Sequence, residues 1–131
     1  MVFKHYNPNP RRRSGVGDCT VRAVSKALDL SWNAAYIDLA IQGYLLADMP
    51  SSNAVMDSYL RSQGFSKHVI DNNCPEECYT VGDFAHDHPY GTYILGTGTH
   101  VICVKSGTVY DSWPSCDEVP QYFYKKENDS W

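Results

Sequence analysis

Cys19 stands where a loop with two glycines turns into an amphipathic segment, "GVGDCTVRAVSKAL", which puts its sulfur at the start of a helix. The thiolate is the reactive form of cysteine. A helix N-terminus and a nearby imidazolium together lower a thiol pKa from ~8.5 to below neutrality. Free cysteine is equally a common core residue that packs as a small hydrophobe, so a reactive role requires partners. The downstream segment "THVICVKSGTVYDSW" offers two. With Ser106 and Gly107 as a two-residue hairpin turn, Lys105 pairs with Thr108, Val104 with Val109, Ile102 with Asp111 and His100 with Trp113. Alternation then sets His100 and Asp111 on one sheet face as diagonal neighbours, ~7–8 Å apart at the backbone and within side-chain reach. A three-residue turn sends them to opposite faces. Thiol, imidazole and carboxylate so arranged make a nucleophile, a general base and the group that fixes the base's tautomer. Arg22, one helical turn after Cys19, is expected to be an exposed helix-face arginine.

A second constellation is "CPEECYTVGDFAHDH", with Cys74, Cys78, His86 and His88. Two thiols and two imidazoles are a sound zinc set, and the cysteine spacing suits one. The histidines fit poorly: a single residue separates them, and on a helix they diverge. A surface loop with ordinary thiols is the expectation, with a zinc module as the alternative. Gly91, Gly96 and Gly98 open a strand rather than a helix, so they mark a turn and not a phosphate loop. Cys103 falls on the face opposite His100, and no helix start surrounds Cys116.

The elements that must position these residues are legible in outline. Asp18 is placed to cap a first helix over about residues 19–29, with Val21, Val24 and Leu28 at helical spacing. Ser31 opens a second, with Trp32, Ala35, Tyr36, Leu39 and Ala40 as its apolar face, and "PSSNAVMDSYLRSQGF" gives a third that stops at Gly64. "FSKHVI" reads as a short strand, and Thr80 to Asp83 as a capping box opening a brief helix. Beyond Pro89, "GTYILGT", "THVICVK", "GTVYDSW" and "VPQYFYKK" read as four strands. Helices first and strands later predict an α+β fold, with N-terminal helices packed on a C-terminal antiparallel sheet.

Composition bounds the function. At 131 residues and 43% hydrophobic, the chain predicts one domain over 1–131, with an extended arm over 1–17. The first residues lack the apolar stretch of a signal peptide, and no segment approaches the ~18 apolar residues of a membrane span, so a cytoplasmic protein with no membrane partner is expected. Five scattered cysteines predict reduced thiols. The run Arg11, Arg12, Arg13 is brief, proline-flanked and set in a chain of net charge -4, which reads as a solvated loop and argues against a nucleic-acid partner.

"GDCTVRAVSKAL" followed far downstream by "THVICVKSGTVYDSW" resembles the papain-like cysteine peptidase superfamily, especially small bacterial and prophage members, and is similar in layout to bacteriocin-leader-processing peptidases. The resemblance covers nearly the whole chain as an arrangement and rests on those two short segments. It implies a papain-like fold and a hydrolase acting on a peptide or protein substrate through an acyl-enzyme, with no cofactor. By it Cys19 is the nucleophile, His100 the general base and acid, and Asp111 the residue that orients His100. Many members carry a glutamine six positions before the nucleophile to hold the oxyanion, and here that position is Arg13. Asn9 or Asn7, with the backbone N–H of Cys19, is the expected substitute. The alternative from another class is a non-catalytic phage or prophage interaction protein that keeps the fold as a scaffold.

Overall fold

The computed structural model describes residues 2–127. Four helices and a six-stranded mixed sheet make an α+β fold. In chain order the elements are β1 (Phe3–His5), α1 (Cys19–Leu28), α2 (Trp32–Leu46), α3 (Asn53–Ser62), β2 (Phe65–Val69), α4 (Val81–Asp87), β3 (Thr92–Gly96), β4 (Val101–Lys105), β5 (Thr108–Asp111) and β6 (Tyr122–Lys126). Across the sheet the strands run β1-β5-β4-β3-β6-β2.

The two faces of the sheet bury different side chains, as a period of two requires. On one face Ile94, Val101, Cys103 and Tyr124 meet α1, α2 and α3 through Val24, Ala27, Leu39, Met56 and Leu60. On the other, Leu95, Ile102, Val104 and Val109 meet Val81, Phe84 and Ala85 of α4. Each fully buried Leu, Ile or Phe stabilises the stack by roughly 1.5–3 kcal/mol. The helices expected in front of the sheet therefore divide, three on one side and the short one on the other.

The sheet also departs from the all-antiparallel expectation. β1 joins the edge and runs parallel to β5, pairing Phe3 with Val109, Lys4 with Tyr110 and His5 with Asp111. Part of the extended arm is thus a strand. Its signal is faint because three residues carry no alternation, and a parallel partner lies a hundred positions downstream rather than across a turn.

The hairpin that carries the candidate site has the expected register. Val104 faces Val109 and Lys105 faces Thr108 across Ser106 and Gly107. Both turn residues have positive φ, 51° and 73°, the twist that a two-residue hairpin needs. Gly107 is also confined, since a Cβ there would come within 3.2 Å of the Pro89 backbone.

The cysteines correct one expectation. Cys74 and Cys78 form a disulfide across an exposed loop, with Cα atoms 4.5 Å apart, while Cys19, Cys103 and Cys116 are free. The loop pair is therefore oxidised, and neither sulfur is free to ligate zinc. Of the histidines in that alternative set, His86 is exposed on α4, and His88 stacks on Phe84 at 3.8 Å with Nδ1 2.7 Å from the Phe84 carbonyl. Among the described residues, no helix is long and apolar enough to cross a membrane.

Candidate active site

α1 lies along β4, and the lengths match. Ten helical residues span about 15 Å and five strand residues about 16 Å. One end of the pairing is tied where Lys105 Nζ, at the end of β4, meets Asp29 Oδ2 at 3.0 Å and the Lys26 carbonyl at 3.3 Å, both at the end of α1. The other end brings the start of α1 to the start of β4. There the Cys19 thiol meets the His100 side chain and the backbone N–H of Val101.

His100 sits one residue ahead of β4, in a turn built by Thr97. Thr97 N donates to the His100 carbonyl at 3.0 Å, and Thr97 Oγ1 accepts from His100 N at 3.1 Å. The ring then reaches the end of β5, where His100 Nε2 lies 2.6 Å from Asp111 Oδ2. With Nε2 held by the carboxylate, Nδ1 is the nitrogen left for sulfur. Trp113 lies against the imidazole, with ring centroids 5.0 Å apart and planes inclined by 35°.

Asp111 is 1% exposed and receives four donors. Oδ2 accepts from His100 and, at 2.6 Å, from Ser115 Oγ; Oδ1 accepts from Ser112 N at 2.7 Å and Arg22 Nη2 at 3.0 Å. Burial alone raises a carboxyl pKa. Here the hydrogen bonds and the His100 charge outweigh it and hold Asp111 below its ordinary value.

The thiol and imidazole shift in opposite senses. Burial works against the Cys19 thiolate, but the hydrogen bonds from His100 and Val101 and the charges of His100 and Arg22 prevail, so the thiol pKa is lowered. Burial likewise disfavours the His100 imidazolium, yet the bonds to Asp111 and Cys19 push its pKa up to about 9. Proton transfer from sulfur to imidazole is thereby favoured near neutral pH. The other free thiols differ: burial pushes Cys103 up to about 12 and raises Cys116 as well.

Two features of the helix start were not legible in advance. Asp18 occupies the N-cap position, but its side chain does not cap. Its Oδ1 accepts from Arg22 Nη1 at 2.7 Å and its Oδ2 from Trp32 Nε1 at 2.8 Å, so the first N–H groups of α1, that of Cys19 among them, are left without a carboxylate cap. Arg22, expected on the exposed face, is 6% exposed and bridges two carboxylates. The signal available was Asp18 four positions earlier, the spacing of a helical ion pair.

Asn9 and Asn7 shape the loop ahead of α1. Asn9 is buried, and its Oδ1 accepts from the backbone N–H of Arg11 at 2.9 Å and of Arg13 at 3.4 Å. Asn7 Oδ1 accepts from Asn9 N, and its Nδ2 donates to the Arg13 carbonyl at 3.1 Å. Asn9 Nδ2 has no acceptor among the described residues, whereas Asn7 is tied at both ends. The three arginines that these bonds organise are exposed.

Tyr122 also borders the site, close enough for the Cys19 charge to help raise its pKa, after burial. Its ring lies across Gly96, where a Cβ would fall 2.1 Å from the ring carbon Cζ. No other residue fits there without moving Tyr122.

The structure thus brings Cys19, His100 and Asp111 together, leaves Asn9 with a free donor end, and separates Cys74, Cys78, His86 and His88 from any shared centre. Compared with family models, curated proteins and solved structures, the chain gives no significant match.

Proposed function

We propose that this protein is a small papain-like cysteine hydrolase that cleaves peptide or isopeptide bonds through an acyl-enzyme. The observation that carries the reading is the 2.6 Å contact of His100 Nε2 with Asp111 Oδ2, with Cys19 close enough to the same imidazole for its thiol pKa to be lowered by it. The Cys19 thiolate attacks the substrate carbonyl, a C–S bond forms, and the carbonyl electrons move onto oxygen. Donors for that oxyanion are the uncapped Cys19 N–H and Asn9 Nδ2. The His100 imidazolium then gives its proton to the leaving amine as the C–N bond breaks. Water attacks the resulting thioester, His100 takes one of its protons, and the acid and the thiol are released. Asp111 acts through His100, holding its tautomer and stabilising the imidazolium.

One observation favours the second reading, a non-catalytic phage or prophage interaction protein. The outer face of α2 exposes Ile37, Ile41, Tyr44 and Leu45, an apolar surface of the kind that marks an interaction site. The two readings separate on exposure to an electrophilic peptide such as a peptide vinyl sulfone at pH 6.5. The hydrolase forms one stoichiometric adduct, mapped by mass spectrometry to Cys19 and reduced at least tenfold in rate by His100→Ala. Absence of an adduct, or slow labelling spread over all three free thiols, supports the scaffold and removes the enzyme.

A further inference from the structure

Three positions along the first turn of α1 separate Cys19 from Arg22, and nothing in the acyl-transfer sequence above uses the arginine. Yet it is almost wholly buried, and a buried guanidinium needs partners for its charge and its donors. It has two. Nη1 donates to Asp18 Oδ1 at 2.7 Å, and Nη2 to Asp111 Oδ1 at 3.0 Å. Asp18 immediately precedes the nucleophile, and Asp111 holds the imidazole. The planar fork therefore joins the backbone that presents sulfur to the side chain that presents the base, with Arg22 itself eighty-nine positions from Asp111 in sequence.

We propose that Arg22 is a positioning residue of the site: its guanidinium spans Asp18 and Asp111, fixes the start of α1 against the end of β5, and so sets the alignment of Cys19 with His100. The inference rests on the hydrolase reading above. The remaining donors on the two carboxylates support it. Trp32 Nε1 fixes the second oxygen of Asp18, and Ser115 and Ser112 N fix Asp111, so each anchor is itself immobilised. An arginine suits this post as a lysine cannot, because one rigid plane supplies two donors directed at different acceptors, whereas an ammonium is a point charge on a flexible stem.

Electrostatics gives the arrangement a signature that simple packing lacks. The groups buried together are two carboxylates, one guanidinium and the thiol–imidazole pair. Taking the guanidinium away leaves His100 as the cation beside Asp111 among the described residues, which strengthens the hold on the His100 proton. It also removes a positive charge that favours the Cys19 thiolate. Both limbs of the pH profile then move upward. A residue that merely fills space shifts neither.

The test measures alkylation of Cys19 by iodoacetamide between pH 4 and 9 in the wild-type protein, Arg22→Lys and Arg22→Gln, with thermal melts alongside. Expected for Arg22→Gln is a midpoint of thiolate formation about one pH unit higher, a tenfold lower rate on the acid side of the profile. Arg22→Lys keeps the charge and loses the fork, and is expected between the two. Each variant stands alone if the other does not fold. Should neither melt cooperatively, Arg22→Gln combined with Asp18→Asn removes cation and anchor together and serves in their place. Folded variants with the wild-type midpoint and rate overturn the positioning role while leaving the hydrolase reading intact. A wild-type Cys19 that titrates as an ordinary free thiol removes both.

Discussion

Ser115 Oγ donates a 2.6 Å hydrogen bond to Asp111 Oδ2, the same oxygen that lies 2.6 Å from His100 Nε2. The serine is 1% exposed, so the bond is made out of reach of water. Its loss in Ser115→Ala leaves a buried carboxylate short of one donor, which typically costs about 1–3 kcal/mol. The sign with pH follows from Asp111, whose pKa is lower folded than unfolded. Such a group stabilises the fold above its unfolded value near ~3.9, and the contribution fades as pH falls through the lower folded value. Ser115→Ala moves the folded value back toward the ordinary one, so acid unfolding followed by tryptophan fluorescence begins at higher pH. An unchanged acid midpoint contradicts this account.

The three free thiols predict a labelling order. At pH 6.5 Cys19 reacts first, while Cys103, fully buried and pushed up to about 12, and Cys116, also raised, stay protected until the protein unfolds. Unfolded without reductant, the chain takes up three alkyl groups; after reduction the Cys74–Cys78 pair brings the total to five. Intact-mass spectra read both counts. Five labels without reductant contradict the disulfide.

For His100 the sign is opposite to that for Asp111. Its pKa rises from an ordinary ~6.5 in the unfolded chain to about 9 in the fold. The stabilisation is complete below ~6.5 and is lost as pH climbs through about 9. The difference in urea midpoint between the wild type and His100→Gln is therefore largest near pH 6 and shrinks by pH 9.5. On the proposed hydrolase reading, turnover of a peptide substrate is expected to have its alkaline limb in the same region, because the leaving amine would need the His100 proton. A midpoint difference that stays flat from pH 6 to 9.5 excludes the imidazolium as the stabilising species.

Deletion of residues 1–5 removes β1 and its ladder to β5. Tyr6 remains, with its N–H on the Asp111 carbonyl at 2.7 Å and its hydroxyl on Ser25 Oγ at 2.7 Å, so the arm is shortened rather than released. The expected result is a lower melting temperature and a loss of Cys19 reactivity of about tenfold at pH 6.5, with a cooperative melt retained. Full reactivity in the shortened protein means that β5 holds Asp111 without its edge partner.

Much of the site was legible because its geometry is local. Two turn residues fix the hairpin register, and register fixes which side chains share a face, so His100 and Asp111 follow from Ser106 and Gly107 alone. The capping box at Thr80 and Asp83 and the Ser31 cap were equally local. What escaped depends on long-range encounters. β1 finds a partner a hundred residues away, and Arg22 looks like any helix-face cation until Asp111 arrives beside it. Asp18 shows the converse: the right residue at the right place for a cap, yet drawn off by the buried Arg22 guanidinium and the half-buried Trp32 indole, whose donors took its oxygens from the helix. The Cys74–Cys78 bridge closes a loop too short to carry a periodic signal.

The first strand has a consequence for how the protein comes into being. β1 is synthesised well ahead of the segment it must lie against, which is made more than a hundred residues later. During that interval Cys19 is already out, with neither imidazole nor carboxylate beside it. The Cys19 sulfur therefore lacks the His100 and Val101 contacts that lower its pKa until the β4–β5 hairpin has been made.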